Sequence, residues 1–453
     1  MGLMPGSDLS DTVRPERLGV NVLRQYPKLS IAVAFLCMLA MWLYVSRVLV
    51  AHQRADAAIR NIPRGNLSDL YPRWLGSREL LMHHRDPYSA DVTREIQSGY
   101  YGRPLDPSRP EDPKDQQAFA YPVYVAILLA PTVYLPFELL RKGFDLLLIA
   151  FTAASVWLWM RAMGWQEGFL PWFVAAMFVL GSFPAVQGIK LDQLTLLVAG
   201  FIALSAFLLG RGQLFAAGVV LAVSTIKPQL IMPLLACLIL WAITDWSHRR
   251  ALVWGFCGAM AFLLVISEVI LPGWMHKFRM ALREYLAYTG GVSLMDRLLS
   301  PGVGKLVTVV IVGALLVLVW QRRRAEPGSR EFSLLLAMIL VATLLIVPTF
   351  APYNQLMLLP AVLLTARECQ HVWRSGPIAR AILVVTIIAL GWQWLTAFGL
   401  VLISLRFPLI AQNAWTVPLY TVLVIPFVVL LDVGLLDRTL APPPPSIAAT
   451  CNG

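Results

Sequence analysis

The chain has 453 residues, of which 58% are hydrophobic and 14% are charged. Soluble domains carry about 25% charged and about 45–50% apolar residues, so this balance excludes a soluble enzyme, a disordered scaffold and a secreted disulfide-rich module. The formal net charge is +11, but the basic residues stand in short clusters beside apolar runs, as the positive-inside rule describes. No basic stripe with interleaved aromatic residues lies outside the runs, so we expect no nucleic-acid partner.

Apolar runs recur along nearly the whole chain, and a membrane span needs roughly 20 such residues. We therefore predict an all-α polytopic membrane protein with about 12 or 13 transmembrane helices. No cleavable signal precedes the first run, which we expect to be an uncleaved anchor. The predicted spans are 29–50, 119–140, 143–162, 169–187, 193–210, 213–228, 229–244, 251–271, 303–320, 332–350, 353–366, 377–400 and 414–436.

The spans define three regions: a cytoplasmic segment at 1–28, a membrane domain at 29–440 and a Pro-rich tail at 441–453. Two hydrophilic segments interrupt the membrane domain, at 52–118 and 272–302. Both are too long for turns, and we expect both to lie on the extracytoplasmic side.

Orientation is predicted from charge, because cytoplasmic loops carry the excess of Lys and Arg. Counting back from the cluster at 322–324 places 272–302 and Lys227 outside. Counting forward from a cytoplasmic N-terminus places 52–118 outside but Lys227 inside. One segment in between must then be re-entrant, split or miscounted, and we suspect the proline-interrupted run 121–136.

Short amphipathic helices are expected in both hydrophilic segments. At 69–84, Trp74 falls on one face of a helix and Arg73 on another, which is typical of a helix lying at the membrane interface. We expect a second short helix at 89–97 and another surface-lying helix within 272–302.

Asp69 stands at the start of the first interfacial helix. A carboxylate beside the membrane can act as general base on an arriving hydroxyl, provided that it comes within hydrogen-bond reach. Asp is also a favoured helix N-cap, as is the adjacent Ser68. Spacing alone favours the cap.

Lys227 ends an apolar run directly before Pro228. A lysine at membrane depth is costly unless it snorkels or pairs, so it marks either a functional site or an interfacial anchor. An anionic headgroup such as a lipid phosphate would suit it. Lys190, Asp192 and Gln193 form a second polar cluster at a span boundary, where a solvated turn is the simpler interpretation.

Tyr353, Asn354 and Gln355 lie between two apolar runs. On a short outward turn their amides and phenol could bind sugar hydroxyls, or they could equally cap helix ends. Tyr121 belongs to a set of aromatic residues in the outer halves of spans and loops, which the ordinary aromatic belt of membrane proteins explains for most members.

Several chemistries lack their motifs. The chain has no phosphate-binding loop, no His-Glu-x-x-His and no Gly-x-Ser-x-Gly. The chain has no Asp-x-Asp pair, the motif that binds a metal–nucleotide complex. Its five cysteines form no Cys-x-x-Cys pair. We expect no metal and no cofactor, and a transferase here would not use a nucleotide donor held by a metal.

An ordered set of short motifs resembles a known family. The motifs are Asp69-Leu-Tyr-Pro-Arg-Trp, Arg85-Asp86-Pro87-Tyr88, Phe119-Ala-Tyr-Pro-Val-Tyr, Leu129-Ala-Pro131, Asp192-Gln193 and the stretch from Gly218 to Ile226-Lys227-Pro228. Over roughly 30–365, their order is similar to that in the GT-C superfamily of membrane glycosyltransferases, and most closely to glycosyltransferase family 87.

The resemblance implies an all-helical enzyme that takes a hexose, typically mannose, from a polyprenyl-phosphate carrier in the outer leaflet. It passes the sugar to a lipid or glycan acceptor with inversion and usually without a metal. By this resemblance Asp69 is the base and Lys227 contacts the donor phosphate, with Arg73 as a possible helper. Asp192 and Gln193 would line the same cavity.

Lys190, Tyr121, Asn354 and Gln355 complete the candidate contacts to donor or acceptor. Many members of the family have a histidine on the turn that 353–355 occupies here, and this chain does not. We expect an integral protein of a bacterial cell membrane whose active site faces outside. The alternatives are a transporter or flippase of lipid-linked sugars and a non-catalytic assembly subunit.

Overall fold

A computed structural model describes residues 25–440 except 62–67, 107, 167 and 349. The predicted Pro-rich tail and nearly all of the segment 1–28 lie outside the described residues. The described part is helical and contains no strand, which confirms the all-α prediction. Inside a bilayer the backbone N–H and C=O groups cannot bond to water, and a helix pairs all of them within one apolar stretch.

The helices are numbered here in chain order. They are α1 Pro27–Ile59, α2 Leu70–His83, α3 Ala90–Tyr101, α4 Tyr124–Leu129, α5 Phe137–Ala162, α6 Phe169–Leu180, α7 Phe183–Lys190, α8 Leu194–Gly210, α9 Leu214–Ser224, α10 Pro228–Ile243, α11 Trp246–Ile270, α12 Trp274–Thr289, α13 Leu294–Leu298, α14 Pro301–Gln321, α15 Arg330–Ile346, α16 Leu359–Arg367, α17 Cys369–Arg374, α18 Pro377–Arg406, α19 Pro408–Asn413 and α20 Ile425–Leu440.

Five helices in the described residues are long and apolar enough to cross a membrane, namely α1, α5, α11, α14 and α18. The pair α6 and α7 is bent by 63° at its break and makes a sixth candidate if it is one span. Helices α8, α9 and α10 are apolar but shorter. The total of about 12 or 13 crossings stays a prediction.

The predicted span 119–140 is wrong. Its place is taken by the six-residue helix α4 and a 3-10 turn, Ala130–Thr132, after which α5 runs unbroken from Phe137. Pro131 and Pro136 explain the break, because proline cannot donate the backbone hydrogen bond that a continuing helix needs. Without a crossing here, and with residues 169–187 counted as one span, the two charge-based counts both predict that Lys227 lies outside.

Helix ends gather in two sets at opposite ends of the bundle. At one end, the two basic clusters meet: Nη1 of Arg249 donates to the carbonyl of Arg323 at 2.7 Å, and the indole of Trp241 donates to Ala325 O at 3.2 Å. At the other end, Lys277 and Asp86 form an ion pair of 2.9 Å that joins the two hydrophilic segments. The polar segments therefore share one end, away from the arginine clusters.

Helix α2 forms where the sequence predicts it, but it is not amphipathic. Arg73 is buried together with Trp74 and Leu80. The ring of Phe137 packs on Trp74 with 5.3 Å between centroids, and Phe119 packs so closely on Gly76 that a Cβ there would lie 2.5 Å from the Phe119 ring. The prediction of an amphipathic interfacial helix with Arg73 on its polar face is therefore wrong.

The other two expected surface helices are present. Helix α3 begins after Ser89, whose Oγ accepts from the Val92 backbone N–H at 3.3 Å. Helix α12 has only Trp274 buried and follows Gly273, whose φ of +71° turns the chain sharply away from α11. The helix thus lies over the polar end of the bundle and roofs the cavity described next.

Candidate functional site

A cavity of about 430 Å³ opens at the polar end of the bundle. Its walls come from the start of α2, the segment before α4, the turns that precede α8 and α10, helix α12 and the 3-10 helix Pro352–Leu358. Six of the predicted site residues line it: Asp69, Arg73, Tyr121, Gln193, Lys227 and Asn354. We call it the Asp69 cavity.

A backbone hydrogen bond positions Asp69, and its carboxylate lines the cavity. Its N–H donates to the carbonyl of Leu191 at 3.0 Å, which fixes the entry to α2 on the turn before α8. The side chain makes no capping hydrogen bond to α2, so the N-cap interpretation is wrong for this carboxylate. Instead, Oδ2 accepts a hydrogen bond from Nε2 of Gln193.

Arg73 lies one helical turn after Asp69 and turns into the same cavity. Its Nη1 donates to the backbone carbonyl of Asp69, and its Nη2 donates to the hydroxyl of Tyr121 at 2.6 Å. The guanidinium stands over the Tyr121 ring with 4.2 Å to the centroid, a cation–π contact. The cation is held in place without forming an ion pair through the Asp69 carboxylate.

Lys227 is 5% exposed and approaches the cavity from the opposite wall. Its Nζ donates to Oε1 of Gln193 and to Oγ1 of Thr195, both at 2.7 Å. The ammonium also lies 5.1 Å from the centroid of the Tyr353 ring. Both of these hydrogen-bond acceptors are neutral, so neither cancels the charge of the ammonium; burial lowers the pKa of Lys227, and the nearby carboxylate of Asp69 raises that pKa in part.

Burial raises the pKa of the Asp69 carboxyl above its usual range. The nearby cations Arg73 and Lys227 lower that pKa in part, and the carboxylate of Asp115 raises it. A carboxylate whose proton affinity is raised by burial is a stronger base than one in water. The site therefore combines a basic carboxylate with two fixed cations on different walls.

Three predicted site residues lie outside the Asp69 cavity. Nζ of Lys190 donates to Oε1 of Gln53. Asp192 is fully buried, with 3.4 Å between its Oδ2 and Nε of Arg141, so the solvated-turn interpretation is wrong. Its φ of +50° closes the turn that aims Gln193 into the cavity.

Gln355 is the third of these residues. Its Nε2 donates to the carbonyl of Val422, and its side chain lines a separate apolar cavity. Asn354 and Gln355 are 5% and 6% exposed, so the turn does not face outward as predicted. Tyr353 and Asn354 of this turn line the site, and Oδ1 of Asn354 accepts from the Thr195 hydroxyl at 3.4 Å.

Sequence reasoning missed Asp115, Tyr285 and Tyr288 among the residues that line this cavity. It also missed the buried Thr195, which holds Lys227. The spacing of Tyr285 and Tyr288, three apart on an amphipathic helix, was a usable signal because such residues share one face. Thr195 and Asp115 carry no signal of their own.

Among the described residues, no three or more His, Cys, Asp or Glu side chains come together in a way that could hold a metal ion. The arrangement of a basic carboxylate, Asp69, with a second carboxylate, Asp115, and two cations suits proton abstraction beside an anionic group. It does not by itself name the reaction.

Comparison with known proteins adds the family. The model of glycosyltransferase family 87 matches residues 119–348, half of the chain. The match includes the segment of Tyr121, the Gln193 turn and Lys227. No curated protein and no solved structure matches the chain.

Proposed function

The chain belongs to glycosyltransferase family 87, and on that premise we propose that it moves a hexose from a polyprenyl-phosphate donor to a hydroxyl of a lipid or glycan acceptor. Mannose is the sugar that the resemblance suggests. The reaction would take place on the extracytoplasmic side of a bacterial cell membrane and invert the anomeric carbon. Membership of the family and a set of membrane-length apolar helices support a membrane glycosyltransferase.

The proposal rests on the Asp69 carboxylate, which lines the cavity and is oriented by the amide of Gln193. Asp69 removes the proton from the acceptor hydroxyl. The freed oxygen lone pair attacks the anomeric carbon while the bond from that carbon to the phosphate oxygen breaks. The electron pair of that bond leaves with the polyprenyl phosphate, so attack and departure occur on opposite faces and the centre inverts.

Lys227 and Arg73 would bind the phosphate and stabilise the charge that develops as it leaves. They reach the cavity from different walls, and each is held by hydrogen bonds that leave its charge in place. One fixed donor of this kind is worth about 3–4 kcal/mol of transition-state stabilisation. A phosphate is a good leaving group, so the mechanism needs no strong general acid.

The remaining wall of the cavity suits a lipid-linked donor. Apolar side chains line it on the side of α10 and α12, namely Ile226, Met232, Phe278, Leu282 and Leu286. A polyprenyl chain entering between these helices would keep its phosphate near Lys227. Gln229 of α10 and Tyr285 of α12 also line this side, so the apolar side chains form a hydrocarbon path with polar groups beside it.

Transport of a lipid-linked sugar without transfer is the second candidate. The bend of 63° between α6 and α7 and the helix break at Lys227 favour it, because broken helices around a central site are typical of transporters. A flippase would move the donor across the bilayer without consuming it. The family match favours the transferase.

The test uses the full chain in nanodiscs with radiolabelled polyprenyl-phosphate mannose and a membrane lipid extract as acceptor source. We expect sugar transfer with the wild type and a loss of at least about 100-fold with Asp69→Asn, the usual scale for a general base. Asp91→Asn is the matched control, since Asp91 is an exposed carboxylate of the same hydrophilic segment. Full transfer by a folded Asp69→Asn protein would disprove the role of Asp69.

A further inference from the structure

A second cavity adjoins the first on the far side of α12. It measures about 220 Å³ and lies between α12 and the segment that leads from α3 to α4. Its polar lining includes Asp86, His276, Lys277 and Glu284, and its apolar lining includes Tyr88 and Phe119. We call it the outer pocket.

Two tyrosines and two alanines separate the outer pocket from the Asp69 cavity. Ala118, Ala120, Tyr285 and Tyr288 line both spaces. The chain segment that contains Ala118 and Ala120 therefore has a cavity on each side. These two alanines contribute only methyl groups to the partition between the cavities. A molecule bound in the outer pocket lies next to the site where Asp69 is available as base.

The two cavities differ in charge. The Asp69 cavity has the cations Arg73 and Lys227. In the outer pocket, the one cation, Lys277, is paired with Asp86 at 2.9 Å. Glu284 lines the same space, and in the part of the chain that the structure describes it has no ion pair. The first cavity therefore offers an anion two cations beside the carboxylates of Asp69 and Asp115, whereas the acidic side chains of the outer pocket outnumber its lysine and repel an anion.

The lining of the outer pocket is suited to polyhydroxylated molecules. Carboxylates accept strong hydrogen bonds from hydroxyl groups, and aromatic rings such as those of Tyr88 and Tyr285 offer flat apolar faces. A sugar or a polyol presents both kinds of surface. A phosphate or a carboxylate group would face Glu284 and Asp86 without a free cation to balance it.

We infer that the outer pocket binds the acceptor through an uncharged sugar or polyol headgroup. This inference rests on the proposed transferase function, and it assigns donor and acceptor to separate cavities. The negative phosphate of the donor belongs beside Lys227 and Arg73, and the neutral acceptor belongs beside Glu284. The shared lining residues Ala118 and Ala120 place the acceptor next to the cavity that holds Asp69.

The test measures binding rather than turnover. Methyl α-mannoside and its C6 uronic acid are the probes, and saturation-transfer NMR detects each with the full chain in nanodiscs. We expect the neutral glycoside to bind the wild type and the uronate to bind about tenfold more weakly, as a single uncompensated charge would cause. Equal binding of the two probes would overturn the assignment of an uncharged ligand.

Variants locate the bound glycoside. Glu284→Gln should weaken its binding about tenfold, because a hydrogen bond to a carboxylate is replaced by one to a neutral amide. Met280→Trp should block binding, since Met280 lines the outer pocket only. Arg283→Gln is the matched control, an exposed change on the same helix that lines neither cavity. Unchanged binding in both pocket variants, or none in the wild type, would overturn the inference.

The same assay separates the two proposals. Asp69→Asn should bind methyl α-mannoside as the wild type does, because the outer pocket does not contain Asp69. If transfer proves absent while this binding persists and depends on Glu284, the catalytic proposal fails and the sugar site stands. If transfer is present and Glu284→Gln leaves the acceptor KM unchanged, the catalytic proposal stands and the sugar site fails.

Discussion

Asp69 and Gln193 are 124 residues apart in the chain, and the amide of Gln193 donates a hydrogen bond directly to the Asp69 carboxylate. The other end of that amide accepts from Lys227. One neutral side chain therefore orients both the base and the cation. Its amide cannot exchange donor and acceptor without losing both contacts, so the pair is fixed relative to each other.

The transfer rate should fall in acid with a midpoint above the usual pKa of aspartate, about 3.9. Burial raises the pKa of Asp69, and only the deprotonated carboxylate acts as base. The rate is therefore full above that pKa and declines tenfold per pH unit below it. Initial rates measured between pH 4 and 8 check this, with samples returned to pH 7 as the control for unfolding. A midpoint at or below about 3.9 contradicts it.

Gln193→Leu should move that midpoint to higher pH. The substitution removes a hydrogen bond to the charged form of Asp69, and loss of such a bond raises the pKa of the carboxyl further. We also expect a drop of about tenfold in the rate at neutral pH, because the carboxylate loses its orientation. Gln193→Glu leaves a group of the same length but introduces a negative charge, and should raise the pKa of Asp69 at least as much. An unchanged pH profile in both variants would show that Gln193 does not orient the base.

Lys227→Met should lower kcat/KM by about 100-fold, since a fixed cation aimed at a leaving phosphate typically contributes on that scale. The methionine side chain is about as long as that of lysine and is readily accommodated in a protein interior, so the fold should persist. Lys227→Arg retains the charge and should recover part of the loss. Binding of radiolabelled polyprenyl phosphate, measured alongside the rates, should weaken only in the methionine variant. Equal donor binding by all three proteins would show that Lys227 does not bind the phosphate.

Gly255→Ala should destabilise the crossing of α9 and α11. A Cβ at Gly255 would lie 2.1 Å from the carbonyl oxygen of Phe215, and one at Gly218 would lie 2.1 Å from Leu252 O. Overpacking of this kind costs about 1–3 kcal/mol. Gly258→Ala, on the same helix with open space around it, is the control and should leave Tm unchanged or slightly raised. Thermal unfolding in detergent compares them, and equal Tm values would mean that the helices move apart freely.

The helical fold and most helix positions were predictable, because long apolar runs admit few alternatives in a membrane. The error at 119–140 arose where hydropathy and proline disagreed. That stretch is apolar enough to span, yet Pro131 and Pro136 end its helices early. Hydropathy measures transfer into lipid and says nothing about backbone continuity.

The site was predictable only in part. Asp69 and Lys227 could be selected as a carboxylate and a cation at unusual places, and the resemblance connected them. Their link through Gln193 depends on two contacts between distant segments, which no local pattern encodes. Arg73 was placed on the polar face of an interfacial helix, because helical periodicity does not show whether a polar face meets water or a buried cavity.

Helix α8 is shorter than its neighbour α5, with 17 residues against 26. The two helices meet near the arginine clusters, where a Cβ on Gly210 would lie 3.8 Å from the carbonyl oxygen of Ala162. At about 1.5 Å per residue, the other end of α8 stops about 13 Å short of the end of α5. Gln193 therefore lies below the end of α5, and Phe137 at that end packs on Tyr71 and Trp74 of α2 instead. The shortness of α8 is what leaves room for α2 to bring Asp69 down onto Gln193.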